Sequence, residues 1–329
     1  MEENANQVAL RDEPMPAEPY SRKNPLPGRL LVNRRLNSPD SEKNTRHFEI
    51  SLEGSGIFYE VGDSMAVYPA NDPALVDEIL GAIGATGEEE VAGNRGGPTK
   101  LRHGLLRDYS ITQPTPKFLK AIAQRASAAP LLNELLEPER KNELATYVWG
   151  LEVIDFLLEH PSIEWTPQDF VALLPKLQPR LYSIASSLKM HPDEVHFIID
   201  VVEYRSHGRT RKGVCSSFLA DRCHDSPAPI FPTSSKFRLP EENDAPIIMV
   251  GPGTGVAPFR AFLQERQAIG ARGRNWLFFG AQREQSDYFY KEDFARFTAD
   301  GILTRIDTAF SRDQAHKIYV QDRMMEASG

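Results

Sequence analysis

The chain has 329 residues, of which 40% are hydrophobic and 26% charged, and its formal net charge is −8. This length and composition predict a folded protein of two domains, and the acidic balance argues against nucleic acid as the main partner, since nucleic acid requires a basic surface. No apolar run approaches the length that spans a bilayer, and the acidic, Pro-rich start lacks the features of a signal peptide. With only two cysteines, Cys215 and Cys223, we expect no disulfide framework, no four-cysteine zinc site and a reducing cytoplasm.

The N-terminal segment, residues 1–22, is Pro-rich, acidic and aperiodic, and we expect a disordered tail or linker. Residues 23–240 are predicted to form one domain. It opens with short strand-like runs typical of an antiparallel barrel, namely GRLLVNRRL, RHFEISL and DSMAVYPAN. The run NDPALVDEILGAIGATG then predicts a helix with Asp72 as its N-cap and Pro73 in its first turn.

A mostly helical stretch interrupts the barrel pattern between about residues 85 and 165, and we interpret it as an insertion. One more helix, TPQDFVALLPKL, is predicted to begin after the N-cap Thr166. The barrel is expected to resume at RLYSIASS and to continue through EVHFIIDVVEY. In the latter run apolar residues recur with period two, at Val195, Phe197, Ile199 and Val201.

The run PRLYSIASS, residues 179–187, places Arg180, Tyr182 and Ser183 on a strand where apolar side chains would pack better in a core. An arginine can hold pyrophosphate oxygens bidentately, a tyrosine ring can lie on a heterocycle, and a serine can reach the polar edge of that heterocycle. The run therefore indicates a ligand that is both flat and anionic. A salt-bridged arginine beside a half-buried tyrosine is the alternative that these residues leave open.

The run KGVCSSFLADR predicts a helix over residues 214–222, preceded by Gly213. Backbone N–H groups at its start, with the hydroxyls of Ser216 and Ser217, would form an anion site at the positive end of the helix dipole. Many helices begin with Gly and Ser, so this motif indicates an anion site only in combination with the run RLYS. We interpret Cys215 as a small residue packed at the helix start rather than a redox group.

The second predicted domain spans residues 241–329. The apolar strand PIIMVG is followed by a Gly-rich turn and the helix FRAFLQERQAIG, and the runs NWLFFG, KEDFARF, LTRIDTAF and AHKIYVQDRMM continue an alternating order. That order is typical of a doubly wound parallel sheet. Gly251, Gly253 and Gly255 would let the backbone approach a pyrophosphate, although their G-x-G-x-G spacing differs from the dinucleotide pattern and a plain tight turn is the alternative.

The run AFSRDQAHKIYVQ brings together Ser311, Arg312 and Lys317. A site for NAD would want a carboxylate for the ribose hydroxyl, whereas a hydroxyl and two cations suit the 2′-phosphate of NADP. Asp313 lies among them, so a solvated loop of mixed charge remains the alternative.

The order of these motifs closely resembles the FAD/NADPH module of diflavin reductases, within the ferredoxin–NADP reductase superfamily. The motifs that carry the resemblance are GDSMAVYPANDPALV, RLYSIASS, GVCSSFLADR, FRLP, GPGTGVAPFRAFLQER and AFSRDQAHKIYVQ. The resemblance covers about residues 20–329, and the helical insertion corresponds to the family's connecting subdomain. The family includes sulfite reductase flavoprotein subunits, which we favour as the nearest group, microsomal NADPH–cytochrome reductases and the reductase half of nitric oxide synthase.

The resemblance implies roles for individual residues. Arg180 would bind the FAD pyrophosphate, Tyr182 would stack on the isoalloxazine ring, and Ser183 would lie near the flavin N5 as the catalytic residue. The other residues implied in FAD binding are Leu181, Tyr204, Gly213, Val214, Cys215 and Ser216. The residues implied in NADPH binding are Arg34, Gly253, Thr254, Ser311, Arg312, Lys317 and Tyr319.

The resemblance further implies an oxidoreductase in which NADPH passes hydride to FAD, and electrons then leave singly to an acceptor protein. That acceptor would be a flavodoxin-like FMN protein or the sulfite reductase haemoprotein, and no metal or membrane is implied. A stand-alone flavodoxin or ferredoxin–NADP reductase and a flavin-binding assembly subunit without turnover are the alternatives. The family's upstream FMN domain and its C-terminal Cys-Gly-Asp turn and terminal aromatic residue have no counterpart in the sequence, so we expect a truncated second domain and slow flavin reduction.

Overall fold

A computed structural model of the protein describes residues 20–94, 97–126 and 129–328. Most of the predicted N-terminal tail, residues 1–19, lies outside the described residues. The described chain contains antiparallel sheets, a helical region and a parallel sheet, as the mixed α/β prediction requires. None of its helices is long and apolar enough to cross a membrane.

The strands are short, and those predicted are found near their runs. They are β1 (Leu26–Gly28), β2 (Leu30–Arg35), β3 (Thr45–Ser51), β4 (Ser64–Val67), β5 (Glu90–Ala92), β6 (Pro98–Lys100), β7 (Arg180–Ser183), β8 (Glu194–Asp200), β9 (Glu203–Ser206), β10 (Arg209–Lys212), β11 (Ala228–Thr233), β12 (Ile247–Pro252), β13 (Asn275–Ala281) and β14 (Arg305–Phe310). The run EVHFIIDVVEY is divided between β8 and β9, and β10 and β11 were not predicted.

The helices cluster between β4 and β7 and between the strands of the C-terminal part. They are α1 (Pro73–Ala82), α2 (Leu101–Arg107), α3 (Pro116–Arg125), α4 (Pro130–Leu135), α5 (Lys141–Tyr147), α6 (Val153–Glu159), α7 (Pro167–Leu173), α8 (Val214–Asp221), α9 (Ala257–Ala268), α10 (Glu284–Asp287), α11 (Lys291–Ala299) and α12 (Val320–Glu326), with 3-10 turns at Pro138–Arg140 and Gly253–Val256.

Two antiparallel sheets enclose the first core. One has the strand order β1-β11-β4-β7 and the other β2-β3-β8. Phe48 and Phe197 from the second sheet pack with Met65 and Ile230 from the first, and all four side chains are fully buried. Strand β7 pairs with β4 alone and is an edge strand, so its polar residues do not have to enter the core.

The helical region has its own core. Val76 of α1, Phe118 of α3, Phe156 of α6 and Phe170 of α7 belong to one buried cluster, which therefore extends beyond the predicted limits of the insertion on both sides. The two predicted N-caps are confirmed: the Asp72 carboxylate accepts from the N–H of Ala74 at 3.0 Å, and the Thr166 hydroxyl accepts from that of Asp169 at 3.1 Å. The hairpin β5–β6 was not predicted, because strands of three residues carry no readable period.

The C-terminal part is built on the parallel sheet β12-β13-β14, whose order follows the chain. Leu263 of α9 and Phe294 of α11 pack with Phe279 of β13, which is why the run of β13 is almost continuously apolar. The carboxyl ends of the three strands lie along one edge, the edge at which ligands of open α/β sheets bind.

Candidate cofactor-binding site

The edge strand β7 presents three of the predicted FAD residues to solvent. Arg180, Leu181 and Ser183 are exposed, and the Tyr182 ring is half-buried, 6.1 Å from the ring of Phe197. Burial is the first cause that raises the pKa of Tyr182, so its hydroxyl stays protonated. Among the described residues, the Arg180 guanidinium and the Ser183 hydroxyl have no hydrogen-bond or ion-pair partner, which contradicts the salt-bridged alternative for Arg180 and leaves both groups free for a ligand.

Helix α8 begins beside this strand. Val67, the register partner of Arg180, has its carbonyl oxygen 3.9 Å from the Cys215 Sγ in the first turn of α8. The helix geometry leaves the N–H groups of Val214, Cys215 and Ser216 without intrahelical partners. The strand position of Arg180 and the N-terminus of α8 therefore both adjoin Val67, an arrangement that suits an anion.

Gly213 is required at this turn. A Cβ at Gly213 would lie 2.6 Å from the Ser216 Oγ and 2.8 Å from the Val202 Cβ, which no real side chain tolerates. The serine hydroxyls differ from expectation: Ser216 accepts from the Val202 N–H at 3.1 Å, and Ser217 donates to the Gly213 carbonyl at 2.6 Å. Both are buried. The backbone, rather than these hydroxyls, thus faces the predicted anion site.

Cys215 packs in the core as expected. Its side chain is buried, and burial raises the pKa of its thiol to about 12, so the reactive thiolate does not form near neutral pH. Tyr204 is 45% exposed on the hairpin β9–β10. Its register partner Arg211 is buried, and the Arg211 guanidinium donates to Asp155 at 2.7 Å and to Glu152 at 3.2 Å, which ties this hairpin to α6.

A cavity of about 410 Å³ lies between the sheet β2-β3-β8 and the carboxyl edge of the parallel sheet. Of the predicted NADPH residues, it is lined by Gly253, Thr254, Ser311 and Tyr319. Gly253 has φ +56°, and nothing lies within 4 Å of the position that its Cβ would take. The backbone at this turn is therefore open to a ligand, as the glycine motif predicts.

The three predicted cations lie outside the lining of this cavity. Arg312 forms an ion pair with Glu42. The Lys317 side chain has no ion pair or hydrogen bond within the described ranges. Arg34 is exposed on β2, opposite His47 on β3, with its side chain likewise unpaired among the described residues. The structure brings Ser311, Gly253 and Tyr319 together but does not place these cations beside them.

Asn37 and Asp287 line the same cavity and were not predicted. The Asn37 amide donates to the Asp287 carboxylate at 2.8 Å, and both side chains are buried. The bond joins residues 250 positions apart, one beyond β2 and one in α10. Neither residue lies in a phosphate-binding motif, so the sequence contained no local signal for it.

Comparisons with known proteins agree with both halves of this arrangement. Residues 18–218 match the family described as FAD binding domain, and residues 249–329 match the family described as Oxidoreductase NAD-binding domain. The sulfite reductase [NADPH] flavoprotein alpha-component of Bacillus subtilis (strain 168) is 45% identical over 312 residues, which are 94% of this chain and 51% of the relative. The protein of the same description from Mannheimia succiniciproducens is 44% identical over 311 residues, again 94% of this chain and 51% of the relative.

The chain spans about half the length of the curated relatives it matches. The predicted resemblance to sulfite reductase flavoproteins is confirmed by this identity along 94% of the chain. The free Arg180 beside the start of α8 and the open glycine turn at Gly253 fit the cofactors that the two family descriptions name. The chain belongs to the FAD-binding-domain family of flavoproteins and carries an oxidoreductase NAD-binding domain after it.

Proposed function

We propose that the chain is the FAD- and NADPH-binding part of a flavoprotein reductase, in which hydride passes from NADPH to FAD and electrons then pass singly to an acceptor protein. The observation that carries the proposal is the position of Arg180. It is exposed and free of protein partners among the described residues, and it lies beside the unpaired amides of α8. A cation and a helix N-terminus that converge in this way suit a pyrophosphate.

The proposed FAD site uses the residues of β7 and α8. Arg180 and the amides of Val214 to Ser216 would bind the pyrophosphate, Tyr182 would support the flavin ring, and the free Ser183 hydroxyl would donate a hydrogen bond to that ring. Leu181 and Tyr204 would contact FAD through their exposed apolar surfaces. When bound, FAD supplies the hydride-accepting and electron-releasing chemistry, and the chain supplies binding and orientation.

The proposed NADPH site is the cavity at the carboxyl edge of the parallel sheet. Gly253 and Thr254 would contact the pyrophosphate, and Ser311 and Tyr319 the adenosine end. Because Arg34, Arg312 and Lys317 lie outside the cavity lining, we propose that the two long side chains that follow Ser311 turn toward the 2′-phosphate when the ligand binds, and that Arg34 approaches from the sheet β2-β3-β8. Lysine and arginine side chains have the rotamer freedom for this movement.

The wider organisation belongs to the same proposal. The two antiparallel sheets would form one FAD-binding barrel over residues 23–240 with a helical insertion, and the parallel sheet would be part of a doubly wound NADP-binding domain over residues 241–329. The acceptor would be a flavodoxin-like FMN protein or a haemoprotein of sulfite reductase, in the cytoplasm. The description of the relatives as a component of sulfite reductase supports the second acceptor.

The test is an anaerobic titration of the purified protein with NADPH. FAD should co-purify, and NADPH should bleach the visible absorbance of the flavin, whereas NADH should do so far less well. Release of the yellow colour by protein unfolding, followed by identification of the flavin, checks the cofactor. Protein that contains FAD but stays oxidised under excess NADPH would favour the flavin-binding subunit without turnover. Protein that reduces an added flavodoxin but no haemoprotein would favour the stand-alone reductase.

A further inference from the structure

Helix α9 forms hydrogen bonds with the segment that follows β7, the strand of the proposed FAD site. The Arg260 guanidinium donates to the Ala185 carbonyl at 2.8 Å, and the Gln264 side-chain oxygen accepts from the Ser187 N–H at 2.9 Å. The Ser187 hydroxyl donates to Glu265 at 2.5 Å. Positions 260 and 264 are one helical turn apart, so they share a face. That face holds the backbone only two residues beyond Ser183.

The same helix face meets an unusual polar sheet surface. The pattern His-x-Glu lies on β3 and the pattern Glu-x-His on β8. The two strands are antiparallel, and their register places Glu49 opposite His196. His47, Glu49, Glu194 and His196 therefore share one face of the sheet. His47 Nε2 lies 2.8 Å from Glu49 Oε1, and His196 Nε2 lies 3.0 Å from Glu194 Oε2. The opposite face of the same strands carries Phe48 and Phe197 into the barrel core.

Arg260 joins this surface to the C-terminal part. Its Nη1 lies 3.5 Å from His196 Nδ1, its Nε donates to Asp293 at 3.1 Å, and its guanidinium lies 4.9 Å from the centre of the Tyr290 ring. Tyr290 has φ +60°, a left-handed conformation that non-glycine residues rarely adopt, and its hydroxyl lies 2.5 Å from His47 Nδ1. Such a conformation persists only where the surroundings enforce it. The left-handed conformation of Tyr290 therefore indicates that its contacts with Arg260 and His47 hold it in place.

These contacts join α9 to β8 and to the segment after β7, and the walls of the cavity are formed by β3, β8 and the turn before α9. Thr45 of β3 and Asp200 of β8 line one wall, and Gly253 and Thr254, in the turn that leads into α9, line the other. We propose that Arg260 and Gln264 are positioning residues that hold these two walls, and with them the two cofactor sites, at a fixed separation. This inference rests on the proposed function, because it assigns the cavity to a nicotinamide cofactor.

A transition metal is the alternative occupant of the histidine face. Ligand atoms of His47, Glu49 and His196, and those of His191, Glu194 and His196, lie within 4.8 Å of one another. Arg260 argues against it. A guanidinium only donates, so His196 Nδ1 must accept, and its proton then lies on Nε2, toward Glu194. A metal would need that Nε2 lone pair and would lie close to a permanent positive charge. The geometry fits better with a hydrogen-bonded contact between the two walls, which consists of Arg260 and Gln264 with Ala185, Ser187 and His196 and is called the joint below.

The test compares NADP⁺, whose nicotinamide end would extend to the proposed FAD site, with 2′,5′-ADP, which would occupy only the adenosine end of the NADP site. We expect Arg260→Met to weaken NADP⁺ binding at least about fivefold relative to 2′,5′-ADP binding, because only NADP⁺ depends on the separation of the two cofactor sites. Arg260→Lys should restore part of this loss, since it keeps a donor for the Ala185 carbonyl. The matched control is Arg296→Met, because Arg296 also pairs with Asp293 but is 61% exposed and, among the described residues, has no hydrogen bond or ion pair to either antiparallel sheet.

Gln264→Leu is the second variant if Arg260→Met fails to fold, and hydrogen exchange of residues 184–189 is the second readout. Faster exchange there in Arg260→Met or Gln264→Leu, but not in Arg296→Met, supports the joint. If Arg260→Met changes neither the ratio of the affinities for NADP⁺ and 2′,5′-ADP nor the hydrogen exchange of residues 184–189, the joint is wrong and the proposed function is unaffected. If the unaltered chain does not bind 2′,5′-ADP, the proposed NADP site is wrong, and exchange alone then decides the joint. Stoichiometric Zn²⁺ binding that His196→Gln abolishes would overturn the hydrogen-bonded joint.

Discussion

Arg312 forms an ion pair with Glu42, a residue 270 positions earlier in the chain. Glu42 and Arg312 each adjoin a residue that lines the proposed NADP cavity, Lys43 and Ser311 respectively. The cation that the sequence suggests for a 2′-phosphate is therefore paired with a carboxylate in the structure. Phosphate binding at Arg312 would have to compete with this carboxylate.

This competition predicts a gain of affinity on removing the carboxylate. Glu42→Gln should tighten binding of 2′,5′-ADP about twofold to fivefold, because an exposed ion pair contributes at most about 1 kcal/mol. Isothermal titration calorimetry measures the change. Glu53→Gln is the matched control, an exposed glutamate without an ion pair among the described residues. Equal affinities in both variants would mean that Arg312 takes no part in binding the phosphate.

Coenzyme preference should depend on Arg312 and Lys317 together. Replacement of both by glutamine should raise the KM for NADPH by about ten- to a hundredfold, since two charge-assisted contacts to the 2′-phosphate are lost, and should leave the KM for NADH nearly unchanged. Steady-state rates with a dye acceptor give both values. If both coenzymes lose equally, the 2′-phosphate lies elsewhere and the two residues support the fold.

Removal of the free guanidinium at Arg180 should affect FAD and little else. Arg180→Ala should weaken FAD binding by about 1.5–3 kcal/mol, or about ten- to a hundredfold, because a hydrogen bond to a charged group is lost. The melting temperature of the FAD-free protein should stay the same, since no protein partner of Arg180 occurs in the described structure. Arg29→Ala, also exposed, is the control. Full flavin occupancy in Arg180→Ala would refute the proposed pyrophosphate site.

Loss of the buried ion pair between Arg211 and Asp155 should, unlike loss of Arg180, lower the stability of the fold. Arg211→Met removes the buried cation that pairs with Glu152 and Asp155, and we expect it to lower the free energy of unfolding by about 3 kcal/mol. Arg209→Met in the same strand should lower it by less than about 1 kcal/mol, because Arg209 pairs at the surface with Glu78 and lies 3.9 Å from Asp155, which keeps its closer partner Arg211. Urea denaturation of the two variants tests this difference. Similar losses would show that the hairpin β9–β10 does not depend on the buried pair.

Local signals in the sequence predicted much of this fold. The N-caps Asp72 and Thr166, the Gly213 turn and the glycine turn at Gly253 are short-range features, and each is found where the sequence indicates. Helix caps and turns of this kind depend on neighbours two to four positions away, so they can be recognised in a single sequence.

Contacts between distant segments were not predictable in the same way. The Glu42–Arg312 pair depends on how the two parts of the chain dock, and the His-x-Glu and Glu-x-His patterns become one surface only through the register of β3 with β8. A slip of one residue in either strand would turn the two polar side chains of that strand to the other face of the sheet. A period of two was visible in the run of β8, but nothing in the sequence alone indicates which strands pair.

The buried histidines of that surface predict how stability depends on pH. Burial, as the largest cause, lowers the pKa of His47 to about 3 and that of His196 to about 2. Both stay neutral in the folded protein, while in the unfolded chain they take up protons below about pH 6.5. The unfolded state thus binds more protons, so the free energy of unfolding is highest above about pH 6.5 and falls as the pH drops toward the folded pKa values.

Two such histidines should lower the free energy of unfolding by about 2 kcal/mol between about pH 6 and about pH 5. Glu49 offsets part of this fall, because burial raises its pKa and the folded state then binds more protons than the unfolded one near its titration. His196→Gln should reduce the slope, to which His191 also contributes because burial lowers its pKa, whatever the effect of the substitution on stability at neutral pH. Urea denaturation across this pH range gives the slopes, and equal slopes in His196→Gln and the unaltered chain would mean that His196 already carries a proton when folded.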